Sequence, residues 1–218
     1  HMKILVVQNR RGIADTVIFL PFIKALSEKF HSPISLLVKE NSKADQFLYQ
    51  TDYIDKIILL ERDKCLKNKH AGFFGSINLI KEIRKHNFDK IIIFNSSFRF
   101  NLIAKFSRIP EIYQYPLFQK EKQHIIETPR KFFKEKLNIK VRKDPEIQIN
   151  NEVISKSIEK FQINKNEKNI LLGVGGSGPT KRIPASIFLD IIKKISNEMK
   201  CRFFLATGID NEVQIILT

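Results

Sequence analysis

The chemically most suggestive part of the sequence is a glycine-rich loop at 173–184, which lies between an apolar strand pattern and an amphipathic helix pattern. Glycines allow backbone N–H groups to approach a ligand closely, and the start of a helix carries a partial positive charge. The loop adds two hydroxyl and two basic side chains, those of Ser177, Thr180, Lys181 and Arg182. This combination is typical of a site that binds phosphate.

Two familiar phosphate-binding motifs do not fit this loop. A P-loop requires a lysine directly after its last glycine and then Ser or Thr, whereas here Pro179 follows the last glycine and Arg182 follows Lys181. The GxGxxG string that begins at Gly173 matches a dinucleotide fingerprint, whose third glycine lies inside a helix. Pro179 and Pro184 oppose a helix at that point, because proline is tolerated only in a helix's first turn. We therefore predict that the helix begins near Pro184, and we do not expect NAD.

Composition and charge limit the classes of protein. The 218 residues are 43% hydrophobic, enough for a folded core, and the formal net charge of +15 favours anionic partners or a lysine-rich solvated surface. Cys65 and Cys201 are the only cysteines, so neither a disulfide framework nor a zinc site is indicated; we expect a cytoplasmic protein with a buried thiol at Cys201. No apolar run approaches the roughly 18 residues that span a bilayer. The initial His1 is interpreted as a cloning remnant.

The rest of the chain alternates strand and helix patterns. Strands are predicted at 3–7, 33–38, 56–60, 90–94 and 111–115, and helices at 16–30, 44–49, 77–86, 98–106 and 124–137. Such alternation predicts an α/β fold, with a parallel sheet covered by helices on both faces. In the last of these helices, Phe132 and Phe133 are expected to face inward.

A change in composition near residue 150 predicts two domains. A polar segment at 140–150 and a turn at 164–168 bracket a helix at 152–161, and then come a strand at 170–173, a helix at 185–199, a strand at 202–206 and a further helix towards Thr218. We expect an N-terminal domain at 2–150 and, at 151–218, a linker helix with the start of a second domain. Two strands do not make a stable parallel sheet alone, so the second domain is expected to be incomplete.

Three segments carry a resemblance to a known family. They are GIAD at 12–15 followed by Leu20 and Pro21, FDKIIIFN at 88–95 followed by Arg99, and GGSGPTKRIP at 175–184. Together with the first strand they resemble the heptosyltransferase family, glycosyltransferase family 9. The resemblance implies a GT-B architecture, with a Rossmann-like N-terminal domain that has a parallel sheet and the start of a second Rossmann-like domain.

The resemblance also implies a function. It predicts an inverting glycosyltransferase that moves a heptose from ADP-heptose to the inner core of lipopolysaccharide without a metal or other cofactor. The N-terminal domain would hold the anionic lipopolysaccharide acceptor and the second domain the nucleotide-sugar donor. The enzyme would be cytoplasmic or peripheral on the cytoplasmic face of the inner membrane. His70, His86 and His124 show no metal-ligand spacing and are expected to be surface or hydrogen-bonded histidines.

Asp15 and Lys181 match the residues with the central roles in the family. The resemblance implies that Asp15 is the catalytic base, whereas its position alone, at the start of a helix, also fits an N-cap. It implies that Lys181 contacts the donor diphosphate. The further donor-binding candidates are Thr180, Ser177, Gly178 and Gly176.

Three arginines are candidates for binding the acceptor. Arg10 and Arg11 follow the first strand and could pair bidentately with acidic groups, although a solvated turn explains them equally well. Arg99 is the third. Arg182 has a purely structural alternative, in which its stem covers the helix start.

The sequence departs from the family pattern at several positions. Ala14 replaces a glycine before the aspartate, Val174 and Gly175 replace His-Pro, and Ile183 replaces a tryptophan. These differences leave open a GT-B transferase for another nucleotide sugar. A non-catalytic basic module that binds anions or nucleic acid is the remaining alternative; it is opposed because no nucleic-acid-binding motif is present and the aromatic residues follow core periodicity, so no nucleic-acid partner is expected.

Overall fold

The computed structural model describes residues 1–61, 69–118, 122–142, 144–175 and 179–208. The chain divides into two compact units, His1–Ile149 and Asn150–Thr218. Asn150 caps the first helix of the second unit, because its side-chain oxygen accepts a hydrogen bond of 2.9 Å from the Val153 N–H.

Five parallel strands form the sheet of the first unit. They are β1 (Ile4–Gln8), β2 (Ile34–Lys39), β3 (Ile54–Leu60), β4 (Lys90–Ile93) and β5 (Glu111–Gln114), in the order β3-β2-β1-β4-β5. From β1 the chain builds outward to β2 and β3, and it then returns to place β4 on the other side of β1. Strand order therefore reverses between β1 and β4, and open α/β sheets bind ligands beyond the carboxyl ends of the strands at such a point.

Helices cover both faces of this sheet. They are α1 (Ile13–Phe30), α2 (Ala44–Phe47), α3 (Gly72–Arg84), α4 (Phe98–Phe106) and α5 (Glu127–Phe132), which continues as a π-helical turn (Phe133–Leu137). Every residue of β1 is buried, and successive side chains point to opposite faces. Ile4 and Val6 pack with residues of α1 and α5, whereas Leu5 and Val7 pack with residues of α3 and α4. The predicted α/β fold with a covered parallel sheet is confirmed.

An aromatic cluster joins α1 to the end of α5. The Phe133 ring stacks on Phe94 at a centroid distance of 5.4 Å and meets the edge of Phe22 at 5.2 Å. Phe132 and Phe133 are both buried, as predicted. Aromatic pairs of this geometry contribute about 0.5–1.5 kcal/mol each beyond their burial, so the cluster fixes the C-terminal segment of the first unit on α1.

The largest differences from the predicted elements are at helix starts. α1 begins at Ile13 instead of residue 16, α3 at Gly72 instead of residue 77, and α5 at Glu127 instead of residue 124. Periodicity detects only the side chains that face the core, and the first turn of α3 carries Phe73 and Phe74, which are 76% and 78% exposed. The pattern of apolar residues therefore did not indicate where α3 begins.

The second unit has a two-stranded parallel sheet. Its elements are α6 (Asn151–Lys160), β6 (Lys168–Val174), a 3₁₀ turn (Pro179–Lys181), α7 (Ala185–Glu198) and β7 (Cys201–Thr207), with β6 paired to β7 along its whole length. Val174 and Phe188 are its buried hydrophobic residues within the described part of the chain. Helix α7 begins directly after Pro184, which confirms the predicted start.

The prediction of a buried thiol at Cys201 is wrong. Cys201 is half-buried, because it is the first residue of β7 and pairs with the exposed Lys168 at the end of the small sheet. Cys65 and the helix expected towards Thr218 lie outside the described residues. Within the described ranges, no helix combines the length and apolar character needed to cross a bilayer.

Candidate active site

Asp15 lies at the carboxyl edge of the first unit's sheet, in the first turn of α1. β1 ends at Gln8, and α1 begins five residues later, so the helix start is held directly beyond the end of the central strand. The Asp15 side chain is 28% exposed, and its Oδ2 accepts a hydrogen bond of 2.9 Å from Arg10 Nε. The structure thus presents a partly accessible carboxylate at the edge where the strand order reverses.

Asp15 is not the N-cap of its helix. The cap is Gly12, whose φ of 88° and ψ of 167° bring the chain from β1 into α1 without any side-chain capping bond. Asp15 is the third helical residue, so the alternative interpretation as a capping carboxylate is wrong. The positive φ also shows why Ala14 does not disturb the turn: the position that needs glycine is Gly12, and Ala14 lies within the helix.

Of the two arginines after β1, only Arg10 contacts Asp15. Its backbone N–H donates to the Gln8 side-chain oxygen at 3.0 Å, which fixes the residue where its guanidinium reaches the carboxylate. Arg11 is exposed, and no hydrogen bond or ion pair joins it to another described residue. Arg10 therefore orients Asp15, while Arg11 leaves its cationic head to solvent beside the same turn.

Asn9 and Asn95 form an amide pair beyond β1 and β4 that sequence reasoning missed. Asn95 Nδ2 donates to Asn9 Oδ1 at 3.1 Å, and Asn95 Oδ1 accepts from the Ser97 N–H at 2.9 Å. Asn9 directly follows the first strand, and Asn95 comes two residues after the fourth. A polar residue at the end of each apolar strand run was the sequence feature that could have identified this pair. Neutral amides at this edge offer donors and acceptors that suit hydroxyl groups, such as those of a sugar.

Arg99 is used as a bridge between α3 and α4. Its Nε donates to Ser76 Oγ at 2.9 Å, and its Nη2 donates to the His70 carbonyl oxygen at 2.6 Å. These bonds fix the starts of the two helices against each other. The structure therefore gives this arginine a structural role beside its expected one.

His70 is buried and hydrogen-bonded at both ring nitrogens, which confirms the expectation of a hydrogen-bonded histidine. The Glu61 N–H donates to Nδ1 at 3.0 Å, so Nε2 carries the proton that Glu82 Oε2 accepts at 2.9 Å. Burial would raise the pKa of Glu82, but the hydrogen bond from His70 and the charge of Lys69 outweigh it, and the pKa lies below its ordinary value. The network stabilises the α3 side of the edge.

The basic loop of the second unit is exposed where it is described. Thr180, Lys181 and Arg182 are all exposed between β6 and α7, and Lys181 forms no ion pair with any described residue. The loop joins the carboxyl end of β6 to the start of α7, which is the position expected for a phosphate site. The other donor-binding candidates, Gly176, Ser177 and Gly178, lie outside the described residues.

Gly175 gives this loop a backbone conformation that proline cannot adopt. Its φ is 98°, whereas the proline ring fixes φ near −65°. The loop therefore requires glycine, or a residue that tolerates a positive φ, where it leaves β6.

Comparison with known proteins yields structural relatives only. No protein-family model and no curated protein sequence matches the chain. The structure of the glycosyltransferase family 9 protein from Veillonella parvula matches 100% of this chain with a TM-score of 0.75 and 18% identity. E. coli ADP-heptose lipopolysaccharide heptosyltransferase II matches 100% with a TM-score of 0.69 and 16% identity. E. coli heptosyltransferase WaaC with ADP-2-deoxy-2-fluoro heptose matches 97% with a TM-score of 0.57 and 14% identity.

The chain has the fold of the heptosyltransferases. The resemblance noted in the sequence is thereby confirmed at the level of the fold, which is α/β of GT-B type. The chain spans about two thirds of the length of these proteins, 66% of the Veillonella chain and 69% of the heptosyltransferase II chain.

Proposed function

We propose that this protein is an inverting glycosyltransferase that transfers a heptose-like sugar from an ADP-sugar to the inner core of lipopolysaccharide. The observation that carries the proposal is the Asp15 carboxylate, which Arg10 holds where the strand order of the sheet reverses. The chain that contains this site has the fold of the heptosyltransferases. In this proposal the unit His1–Ile149 binds the acceptor and the unit Asn150–Thr218 contributes to binding the donor.

The proposed reaction is a single displacement. An acceptor hydroxyl gives its proton to Asp15, its oxygen bonds to the anomeric carbon, and the bond from that carbon to the donor diphosphate breaks. Attack opposite the leaving group inverts the anomeric centre. The proton remains on Asp15 until solvent removes it, and the nucleoside diphosphate leaves with the electron pair of the broken bond.

Each proposed binding residue has a separate part in this reaction. Lys181 stabilises the negative charge that develops on the departing diphosphate, with Thr180 as an additional hydrogen-bond donor. Arg11 has an exposed guanidinium available to acidic groups of the acceptor. Arg10 orients the base, and Asn9 and Asn95 bind acceptor hydroxyls.

We also propose that the enzyme works at the membrane surface that holds its acceptor. Two exposed phenylalanine pairs support this: Phe73 with Phe74 at a centroid distance of 5.7 Å, and Phe98 with Phe118 at 6.0 Å. Exposed aromatic side chains partition into lipid interfaces. Co-sedimentation with lipid vesicles tests this proposal. Replacing Phe73 and Phe74 by serine should weaken vesicle binding, and equal binding by the wild type and the double variant would contradict the proposal.

The identity of the donor is tested with a panel of sugar nucleotides. The full-length protein is incubated with a lipopolysaccharide inner-core acceptor and each donor, and the mass of the product is measured. A mass gain of one heptose with ADP-heptose supports the proposal. A gain only with another nucleotide sugar would keep the transferase and replace its donor. No transfer with any donor, together with salt-sensitive oligonucleotide binding, would favour the non-catalytic module.

A further inference from the structure

A groove with a surplus of positive charge lies beside α5, and Asp15 does not line it. Its volume is about 540 Å³, and it is bounded by α5, the π-helical turn and the segment at 139–142. Five basic side chains line it against two carboxylates, a net charge of +3: Arg130, Lys131, Lys134, Lys140 and Arg142 against Glu127 and Glu135. Neither the proposed reaction nor the resemblance to the heptosyltransferases uses this groove.

The fold builds the groove by reversing the chain after α5. Asn138 has a φ of 51°, a left-handed conformation, and the Ile139 N–H then donates to the Phe133 carbonyl oxygen at 3.1 Å. The segment at 139–142 therefore runs back beside the helix, and Arg130 Nε donates to the Val141 carbonyl oxygen at 3.1 Å. The two sides of the groove, α5 and the segment at 139–142, are therefore hydrogen-bonded to each other.

Buried and exposed residues alternate along the segment at 139–142, and its two exposed cations line the groove. Ile139 and Val141 are buried in the core, 9% and 7% exposed, so the side chains between and after them, Lys140 and Arg142, are exposed. An extended chain places successive side chains on opposite sides. Burial of the two apolar residues thus fixes the direction of the two basic ones.

The carboxylates of the groove are already paired. Glu127 accepts from Arg130 Nη1 at 3.1 Å, and Glu135 lies 4.0 Å from Lys131 Nζ. Lys134, Lys140 and Arg142 form no ion pair with any described residue. The surplus charge of the groove therefore belongs to three cations that line it, one from the π-helical turn and two from the returning segment.

A neighbouring cavity of about 460 Å³ shares Lys140 and Arg142 with the groove. Three basic and three acidic side chains line that cavity, so its charge is balanced, whereas the groove has a net positive charge. An anion that lies between three unpaired cations relieves their mutual repulsion. A guanidinium together with ammonium groups is the donor set that proteins use for phosphate.

We propose that the groove formed by α5 and residues 139–142 binds a phosphate group, either of a soluble phosphate compound or of a lipid headgroup. This inference does not depend on the proposed glycosyl transfer. It requires only that Lys134, Lys140 and Arg142 are placed around one ligand.

The test compares two double variants that remove the same charge from the first unit. Lys134→Ala with Arg142→Gln empties the groove of two cations, and Lys85→Ala with Lys105→Ala removes two exposed lysines elsewhere. Both are made in a Lys181→Ala background, so that the proposed donor loop does not contribute. Binding of inorganic phosphate is measured by titration calorimetry, and binding to phosphatidylcholine vesicles with and without phosphatidylglycerol by co-sedimentation.

Loss of phosphate binding in the groove variant, about fivefold or more relative to the control variant, supports a soluble phosphate ligand. Loss confined to the phosphatidylglycerol vesicles supports a lipid headgroup. Equal binding by the two double variants to both probes overturns the proposal. If the groove variant does not fold, the single Lys140→Gln change at an exposed side chain gives the same comparison.

Discussion

Replacing Asp15 by asparagine tests its proposed role as the base separately from its role in folding. The change keeps the shape of the side chain and removes the negative charge that accepts the proton in the proposed reaction. A positioned general base contributes about 10²- to 10⁴-fold to rate, which corresponds to about 3–5 kcal/mol of the barrier. We therefore expect kcat to fall by about that factor, while the affinity for the donor stays unchanged because the proposed donor site is in the other unit.

The expected loss of stability is much smaller. The Arg10–Asp15 ion pair has side chains 45% and 28% exposed, and exposed pairs contribute about 0.2–1 kcal/mol. An acidic residue in the first turn of a helix adds about 0.3–1 kcal/mol, also reduced by solvent. Together they predict a free energy of unfolding lowered by about 1 kcal/mol, too little to unfold the protein. The rate loss therefore exceeds the stability loss by several kcal/mol.

The assay measures product formation by mass, donor binding by calorimetry and unfolding by urea. Asp45→Asn is the matched control, because Asp45 is also an acidic residue in the first turn of a helix, α2, and is exposed. The control should retain wild-type turnover. If Asp15→Asn turns over within about threefold of wild type, Asp15 is not the base; if donor binding is lost as well, the assignment of the two units to two substrates is wrong.

Three further changes probe the donor loop and the helix bridge. Lys181→Ala should weaken calorimetric ADP binding about tenfold or more, whereas wild-type affinity would remove Lys181 from the donor site. Gly75→Ala should destabilise the first unit by about 1–3 kcal/mol in urea, because a Cβ there would lie 2.6 Å from the carbonyl oxygen of His70; an unchanged midpoint would contradict that close packing. The lowered pKa of Glu82 means that its stabilising contribution is present above the ordinary value of 4.5 and is lost as pH falls through the lower folded value. Wild type and Glu82→Gln should therefore differ most in urea at neutral pH and converge in acid, and a gap independent of pH would refute the linkage.

The sequence predicted the order of the elements because buried parallel strands and amphipathic helices leave local patterns. The helix at Phe98–Phe106 was predicted with its observed bounds, and the start of α7 followed from Pro184. The start of α1 was missed because it depends on Gly12, whose positive φ begins the helix before any apolar periodicity is visible. Local pattern thus predicts the body of an element better than its ends.

The candidate site could be predicted only residue by residue. Asp15 was predicted from the resemblance of the chain to the family. Its pairing with Arg10 arises from the turn at Gly12. A turn of this kind brings together side chains whose spacing in the sequence does not predict a contact. Arg99 was predicted at an acceptor site and is held by Ser76 and His70, because the approach of α3 to α4 is a tertiary contact. The amide pair Asn9–Asn95 likewise requires the adjacency of β1 and β4, which the strand order decides.

Gly175 tests whether the backbone of the proposed donor loop contributes to binding. Its φ of 98°, at the point where the chain leaves β6, lies in the region that favours glycine. A side chain with a Cβ opposes that conformation without changing Lys181, the charge proposed to meet the diphosphate. A Gly175→Ala variant keeps the loop's charge while opposing the left-handed conformation, at a cost of about 1–2 kcal/mol. If donor affinity falls in this variant as much as in Lys181→Ala, the backbone path contributes to recognition; if it is unchanged, the charge alone binds the donor.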